Sequence, residues 1–300
     1  MQALVAEREE RRRARDFGAA DELRERVAKL GYRIVDSADG PRLEIVDAGK
    51  PARMRPSDVE SVLDEPTAAD VSVQWVVQGW PEDVLRGIAS FRRHGGSRTV
   101  QHVVVEASGT DAEWPEEVEV VALEADPGWG ADRNCGLRRA AGGVVVVVDG
   151  SIEATGDVLG PIEETLADPT VGVCGPFGIT TTDMRHFDES EGPDVDAIEG
   201  YLVAFRRNVL SRTGLFDEKF RFYRSADIEF SFRVKEQGLR AVVVPLPVER
   251  HEHRMWSTMP ERERDRLSKR NYYRFLDRFR ERFDLTVAGE EIPHHHDHEN

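Results

Sequence analysis

The chain has 300 residues, 39% of them hydrophobic and 33% charged, a length and balance that suit one large or two smaller soluble domains with room for a core. A formal net charge of −16 argues against general affinity for nucleic acid, whose phosphates need a basic surface, although a local basic patch would escape that average. Only Cys135 and Cys174 are present, in different motifs, which excludes a disulfide framework or a cysteine-rich zinc site.

Residues 1–30 are highly charged, with Leu23, Val27 and Leu30 at helical spacing and Gly31 as a stop signal. Asp16-Phe17-Gly18 divides the stretch into two helices or bends a single one. Tyr32-Arg-Ile-Val-Asp-Ser-Ala-Asp-Gly-Pro-Arg-Leu-Glu-Ile-Val reads as two short strands about an Asp-Gly-Pro turn. Residues 48–69 contain Pro51, Pro56 and Pro66 without sustained periodicity and are expected to be a linker.

Strand and helix patterns then alternate. Strands are predicted at Val71-Ser-Val-Gln-Trp-Val-Val, His102-Val-Val-Val and Val118-Glu-Val-Val-Ala, with helices over residues 82–93 and 133–141. The five-valine run Val144 to Val148 reads as a strand buried on both faces, as in a parallel sheet. This rhythm predicts an α/β fold with a mainly parallel sheet and right-handed crossovers. Gln78, Glu106 and Asp149 follow three strand ends, the sheet edge at which open α/β folds bind ligands.

Further on, residues 197–205 form a strand or buried turn and residues 206–213 a short helix. Residues 227–237 form a helix stopped by Gly238, and Ala241-Val-Val-Val-Pro a strand. Residues 260–282 form a basic, aromatic helix in which Phe275, Phe279 and Phe283 fall at i, i+4 and i+8, a packing stripe. The His-rich tail, residues 286–300, is expected to be disordered.

Several of these segments resemble, in order and spacing, the family 2 inverting glycosyltransferases of the GT-A fold, over residues 70–285. Val103-Val-Val-Glu-Ala-Ser-Gly resembles the second-strand motif, whose acid contacts the nucleotide base. Gly130-Ala-Asp-Arg-Asn-Cys-Gly is similar to the Asn-x-Gly helix, and Val148-Asp-Gly-Ser stands where the Asp-x-Asp signature belongs. Gly200-Tyr-Leu-Val-Ala-Phe-Arg-Arg and Gly214-Leu-Phe-Asp-Glu-Lys-Phe resemble the acceptor-side segment, and Ala226-Asp-Ile-Glu-Phe-Ser-Phe-Arg the helix carrying the catalytic base. The resemblance implies transfer of a sugar from a nucleotide-diphosphate sugar to an acceptor hydroxyl. Asp227 would be the general base, and Gln78, Glu106, Arg133, Asn134 and Asp149 would contact the nucleotide. The bland reading of Asp227 is a first-turn acid favoured by the helix dipole.

Two positions depart from the pattern: Ser151 replaces the second acid, and Ala226 the glutamate before the base. The resemblance implies a divalent cation, Mn²⁺ or Mg²⁺, held by Asp149 with His251 or His253, the imidazole favouring Mn²⁺. The alternative is a metal-poor enzyme that neutralises the diphosphate with Arg133, Arg254 or Arg270.

Residues 1–47 are similar to the carboxyl-terminal module of cysteinyl-tRNA synthetases, without that enzyme's catalytic signatures, and overlap a helical-hairpin motif of excision-repair proteins. A charged hairpin used only for packing explains the same residues. The start lacks a signal-type apolar core and no run reaches membrane-spanning length, so a cytoplasmic protein is expected, peripheral membrane association aside. Two other readings of the whole chain stay open: a degenerate GT-A domain that holds nucleotide or scaffolds a partner, and an RNA-associated protein acting through residues 1–47. The sugar-transfer reading requires that Glu106, Asp149 and Asp227 face a common pocket.

Overall fold

The computed structural model describes residues 2–29, 32–37, 40–45, 52–110 and 112–290. The chain divides into two compact units, Met1–Ala52 and Arg53–Asn300.

In the first unit, helices Gln2–Arg13 and Phe17–Lys29 accompany an antiparallel hairpin, Tyr32–Ser37 with Gly40–Ile45. The break therefore falls just before Phe17, and the turn residues 38 and 39 lie outside the described ones. Val5, Val27 and Ile34 are buried together, and Leu23 is buried as its spacing predicts; Leu30 lies outside the described residues. The buried Arg8 ties helix to hairpin through two hydrogen bonds to Asp36, at 2.9 and 3.1 Å. The Arg8 guanidinium, supported by Arg12, holds the Asp36 carboxyl down at about 2.

The second unit is built on an eight-stranded sheet. Its order is Asp194–Val195, Arg240–Val243, Val171–Gly175, Leu202–Arg206, Gly142–Val148, Ala69–Val77, Val100–Glu106 and Val118–Ala122. Neighbouring strands are parallel except around Leu202–Arg206, which runs against both its partners, and at the Asp194–Val195 edge. The mainly parallel sheet is thus as the valine-rich patterning predicts.

Alternation sorts its side chains. Val146 and Val148 join Val73 and Trp75 in a core beneath helices Pro81–His94 and Leu159–Leu166. Val145 and Val147 pack on the opposite face with Phe205, Phe216 and Phe230, beneath Trp129–Arg138 and Ala226–Lys235. The β-branched strand is buried on both faces because each face has its own helical layer.

Four regions differ from expectation. Residues 53–68 are not a free linker: Met54 bridges Leu123, Val59 is buried, and the N–H groups of Val62 and Ala68 bond to the carbonyls of Arg138 and Ala141. The terminal helix is Glu261–Phe279, with Phe275 and Phe279 buried against Met184 and Phe232, whereas Phe283 lies beyond its end and is 42% exposed. Residues 286–290, expected in the disordered tail, are ordered, Val287 N–H donating to Asp196 at 2.6 Å; residues 291–300 lie outside the described residues. Residues 152–196, for which no element was predicted, supply a helix and several strands.

Gly142 opens the valine strand where the neighbouring backbone at Val71 and Ser72 leaves no space for a side chain. Gly142→Ala is therefore expected to destabilise the second unit by about 1–3 kcal/mol, seen as a lower denaturant midpoint at unchanged slope.

Candidate active site

The valine strand ends at Val148, and its last residue pairs with Leu202, so Asp149 emerges at the carboxyl edge of the sheet. Asp149 is buried. Its Oδ1 accepts the Ser151 hydroxyl at 2.5 Å and the Ser151 N–H at 2.9 Å, and its Oδ2 lies 3.3 Å from His253 Nε2. The serine in place of a second acid thus orients the first. Burial opposes ionisation of Asp149, but the His253 and Ser151 contacts outweigh it and hold the carboxyl at about 2.

His253 follows Val248–Arg250, the strand that pairs antiparallel with Ile152–Ala154. Its ring lies on that of Tyr223, with centroids 4.6 Å apart, and its Nδ1 accepts the Trp256 N–H at 3.2 Å. His251 is turned elsewhere: its Nε2 lies 2.8 Å from Glu153, so it does not join Asp149. In a continuing strand residues two apart would share one face; this strand ends at Arg250, so residues 251 and 253 are released from that alternation and meet different partners.

Two donors at about 2.1 Å from one octahedral cation stand about 3 Å apart, so the Asp149–His253 spacing fits a shared cation. For His253 to ligate through Nε2, the Trp256 N–H must leave Nδ1; its second acceptor, the His253 carbonyl at 3.0 Å, can keep it. Among the described residues no group of three or more His, Cys, Asp or Glu side chains could hold a metal, so ligand oxygens would have to complete the shell.

Asp149 and His253 line a cavity of about 480 Å³ together with Glu199, Tyr201, Tyr223, Arg224 and Asp227. Asp227 sits in the first turn of Ala226–Lys235, behind Ser225 in the left-handed region at φ 64°. Its Oδ2 accepts the Gly200 N–H at 2.7 Å and its Oδ1 the Ile228 N–H at 2.9 Å. A side chain at Gly200 would press on that carboxylate, which accounts for glycine there. Burial raises the Asp227 pKa above the usual carboxylate range, and burial with the nearby Asp227 charge pushes Glu199 up to about 7.

The other predicted nucleotide residues are distributed differently. Glu106 is at the same sheet edge but does not line this cavity: it is bound at 2.9 Å to Arg53 and accepts from Ser108 and Gly109. The expected three-acid pocket therefore contains two of the three. Arg133 is buried beneath Asp149, donating to the carbonyls of Gln74 and Val148 and stacking on Trp129, and its burial lowers its pKa to about 10. Asn134 pins Phe216 through paired backbone bonds, each 2.9 Å. Gln78 lines a second crevice of about 220 Å³ with Ser108, Asp126, Asp132 and Arg221.

A narrow cleft shares Gln78 with this crevice and Asp149 and His253 with the main cavity, so the Asp149–His253 pair divides the two spaces. Glu199 and Asp132 were missed in the sequence. Each lies inside or beside a quoted motif, but only tertiary contacts bring Glu199 to Asp227 and Asp132 to Asp126.

No family model matches the sequence, and no curated protein matches it. Among solved structures, GalNAc-T7 with UDP, GalNAc and Mn²⁺ aligns at TM-score 0.59 and 16% identity, over 70% of this chain and 48% of that one. The mannosyltransferase PcManGT from Pyrobaculum calidifontis, in complex with GDP-Man and Mn²⁺, is 22% identical at TM-score 0.49, over 63% and 57% of the two chains. S. aureus TarS 1-349 with UDP is 16% identical at 0.48, over 73% and 75%. The chain thus spans about half the length of the first two. Its fold is that of the GT-A glycosyltransferases, a mostly parallel sheet flanked by helices. No helix among the described residues is long and apolar enough to cross a membrane.

Burial and the neighbouring Asp126 push Asp132 up to about 8 from 3.8. An acid raised in the folded state contributes stability at low pH that is lost as pH rises through that window. Urea midpoints at pH 4 and 8 are therefore expected to differ less for Asp132→Asn than for the parent chain.

Proposed function

We propose that the second unit transfers a sugar from a nucleotide-diphosphate sugar to an acceptor hydroxyl, with inversion, as the resemblance to the family 2 enzymes implies. The observation that carries this reading is the placing of Asp149, His253 and Asp227 on one cavity at the carboxyl edge of a GT-A sheet.

Asp227 takes the acceptor proton as the hydroxyl attacks the anomeric carbon from the face opposite the diphosphate. Its raised pKa makes it a better base than an exposed aspartate, and the Gly200 and Ile228 N–H bonds fix its direction. Asp149 and His253 would hold a divalent cation, Mn²⁺ or Mg²⁺, which when bound neutralises charge on the leaving diphosphate. Arg133 leaves the nucleotide-contact set and acts from below, as a buried positive charge near Asp149. Gln78 and the crevice beside it would receive the nucleoside, since the Asp149–His253 pair separates that space from Asp227. The first unit, whose sequence resembles the synthetase module, takes no part in the chemistry.

Asp227→Asn is expected to lower turnover about a hundredfold to ten-thousandfold in a donor-screening assay, while the nucleotide diphosphate binds as before. His253→Ala should weaken Mn²⁺-dependent nucleotide binding, measured by titration, and leave metal-free binding unchanged. An Asp227→Asn variant with full turnover would dismiss the base assignment.

A further inference from the structure

The cations on the Asp227 side of the cavity differ from those beside the narrow cleft. There, Arg86 is bound to Asp83 at 2.8 Å and Arg254 to Asp83 at 3.3 Å, and Arg254 also to Glu82, so their charges are satisfied internally. In the main cavity, Arg185, Arg224 and Lys269 contribute to the lining, from the segment before Phe187, the loop before Ser225, and the terminal helix. Among the described residues none of these three side chains has an ion-pair or hydrogen-bond partner. Arg224 stacks on Trp256, at 5.4 Å, and its charge reaches the Glu199 and Asp227 carboxylates without a direct ion pair; Lys269 stacks on Tyr273, at 5.9 Å. Ser268 lines the same cavity, and its buried Oγ has no hydrogen-bond partner.

In a chain of net charge −16, with 57 acidic residues, three cations that line one cavity without a direct ion-pair partner among the described residues need an explanation. Guanidinium, ammonium and hydroxyl donors from separate elements suit a group with several acceptor oxygens. The donor's own diphosphate belongs beside Asp149 and His253, with its nucleoside in the crevice beyond them. The three cations line the main cavity with Asp227, and none of them lines the cleft or the crevice beyond that pair.

We infer that the acceptor carries a phosphate group, held by Arg185, Arg224 and Lys269 while its hydroxyl faces Asp227. This rests on the sugar-transfer reading for the word acceptor, but the anion site stands on its own cations. No bond of the phosphate is made or broken; it anchors the molecule whose hydroxyl attacks.

The test titrates the full chain with glycerol 3-phosphate and with glycerol, both with and without saturating UDP or GDP and Mn²⁺. A parallel sedimentation arm uses phosphatidylglycerol and phosphatidylcholine vesicles. Glycerol 3-phosphate should bind at least about tenfold more tightly than glycerol, also when nucleotide is present. Arg185→Gln and Lys269→Gln, both at exposed positions, should each weaken it about tenfold. Selective binding to phosphatidylglycerol that the same variants abolish would identify the phosphate as a lipid headgroup, and its absence as that of a soluble molecule. Equal binding of the two glycerols, indifference to both variants, or displacement by nucleotide would overturn the inference. Failure of UDP and GDP to bind at all would count against the donor reading, while the nucleotide-free titration still decides the anion site.

Discussion

A carboxylate buried at the end of a five-valine run has to be compensated, and the surroundings of Asp149 follow from that need. An isolated ionised carboxyl in such a place would simply take up a proton. Instead Ser151 supplies two hydrogen bonds to one oxygen, His253 faces the other, and Arg133 lies beneath with its own charge desolvated. Each of these partners belongs to a different part of the chain. The segment that delivers His253 and the turn that delivers Ser151 meet at the two Asp149 oxygens, and the helix that delivers Arg133 sets a positive charge nearby. The carboxylate stays ionised, and the space above it stays available to a ligand.

The second carboxylate is treated differently. Asp227 accepts two backbone N–H groups, yet burial dominates and its pKa rises. Glu199, close by, is raised as well. In the proposed transfer, two acids in one cavity, one held strongly ionised and one made more basic, would divide charge binding from proton acceptance.

Much of the second unit was legible because its strands are valine-rich and alternate with helical patterns. The strand from Gly142 to Val148 and the polar residues at its edge could be read directly. What was hidden depended on contacts distant in sequence. Glu106 looks like a ligand-binding acid until Arg53, from a stretch that reads as a linker, closes on it. His251 and His253 are indistinguishable in sequence, and only the end of a short strand sends one to Glu153 and the other to Asp149. Residues 152–196 lack sustained periodicity because their strands are two to five residues long. Phe283 kept helical spacing, but the helix had already ended at Phe279.

The terminal helix has a role that its distance along the chain conceals. Asn271 reaches from it to the carbonyls of Phe222 and Arg224, at 2.6 and 2.9 Å, and so staples the loop that carries Tyr223 under the His253 ring. A fragment stopping before residue 261 would retain every strand of the large sheet. It would nevertheless lose the brace on one wall of the cavity, so the second unit cannot be trimmed to its sheet alone.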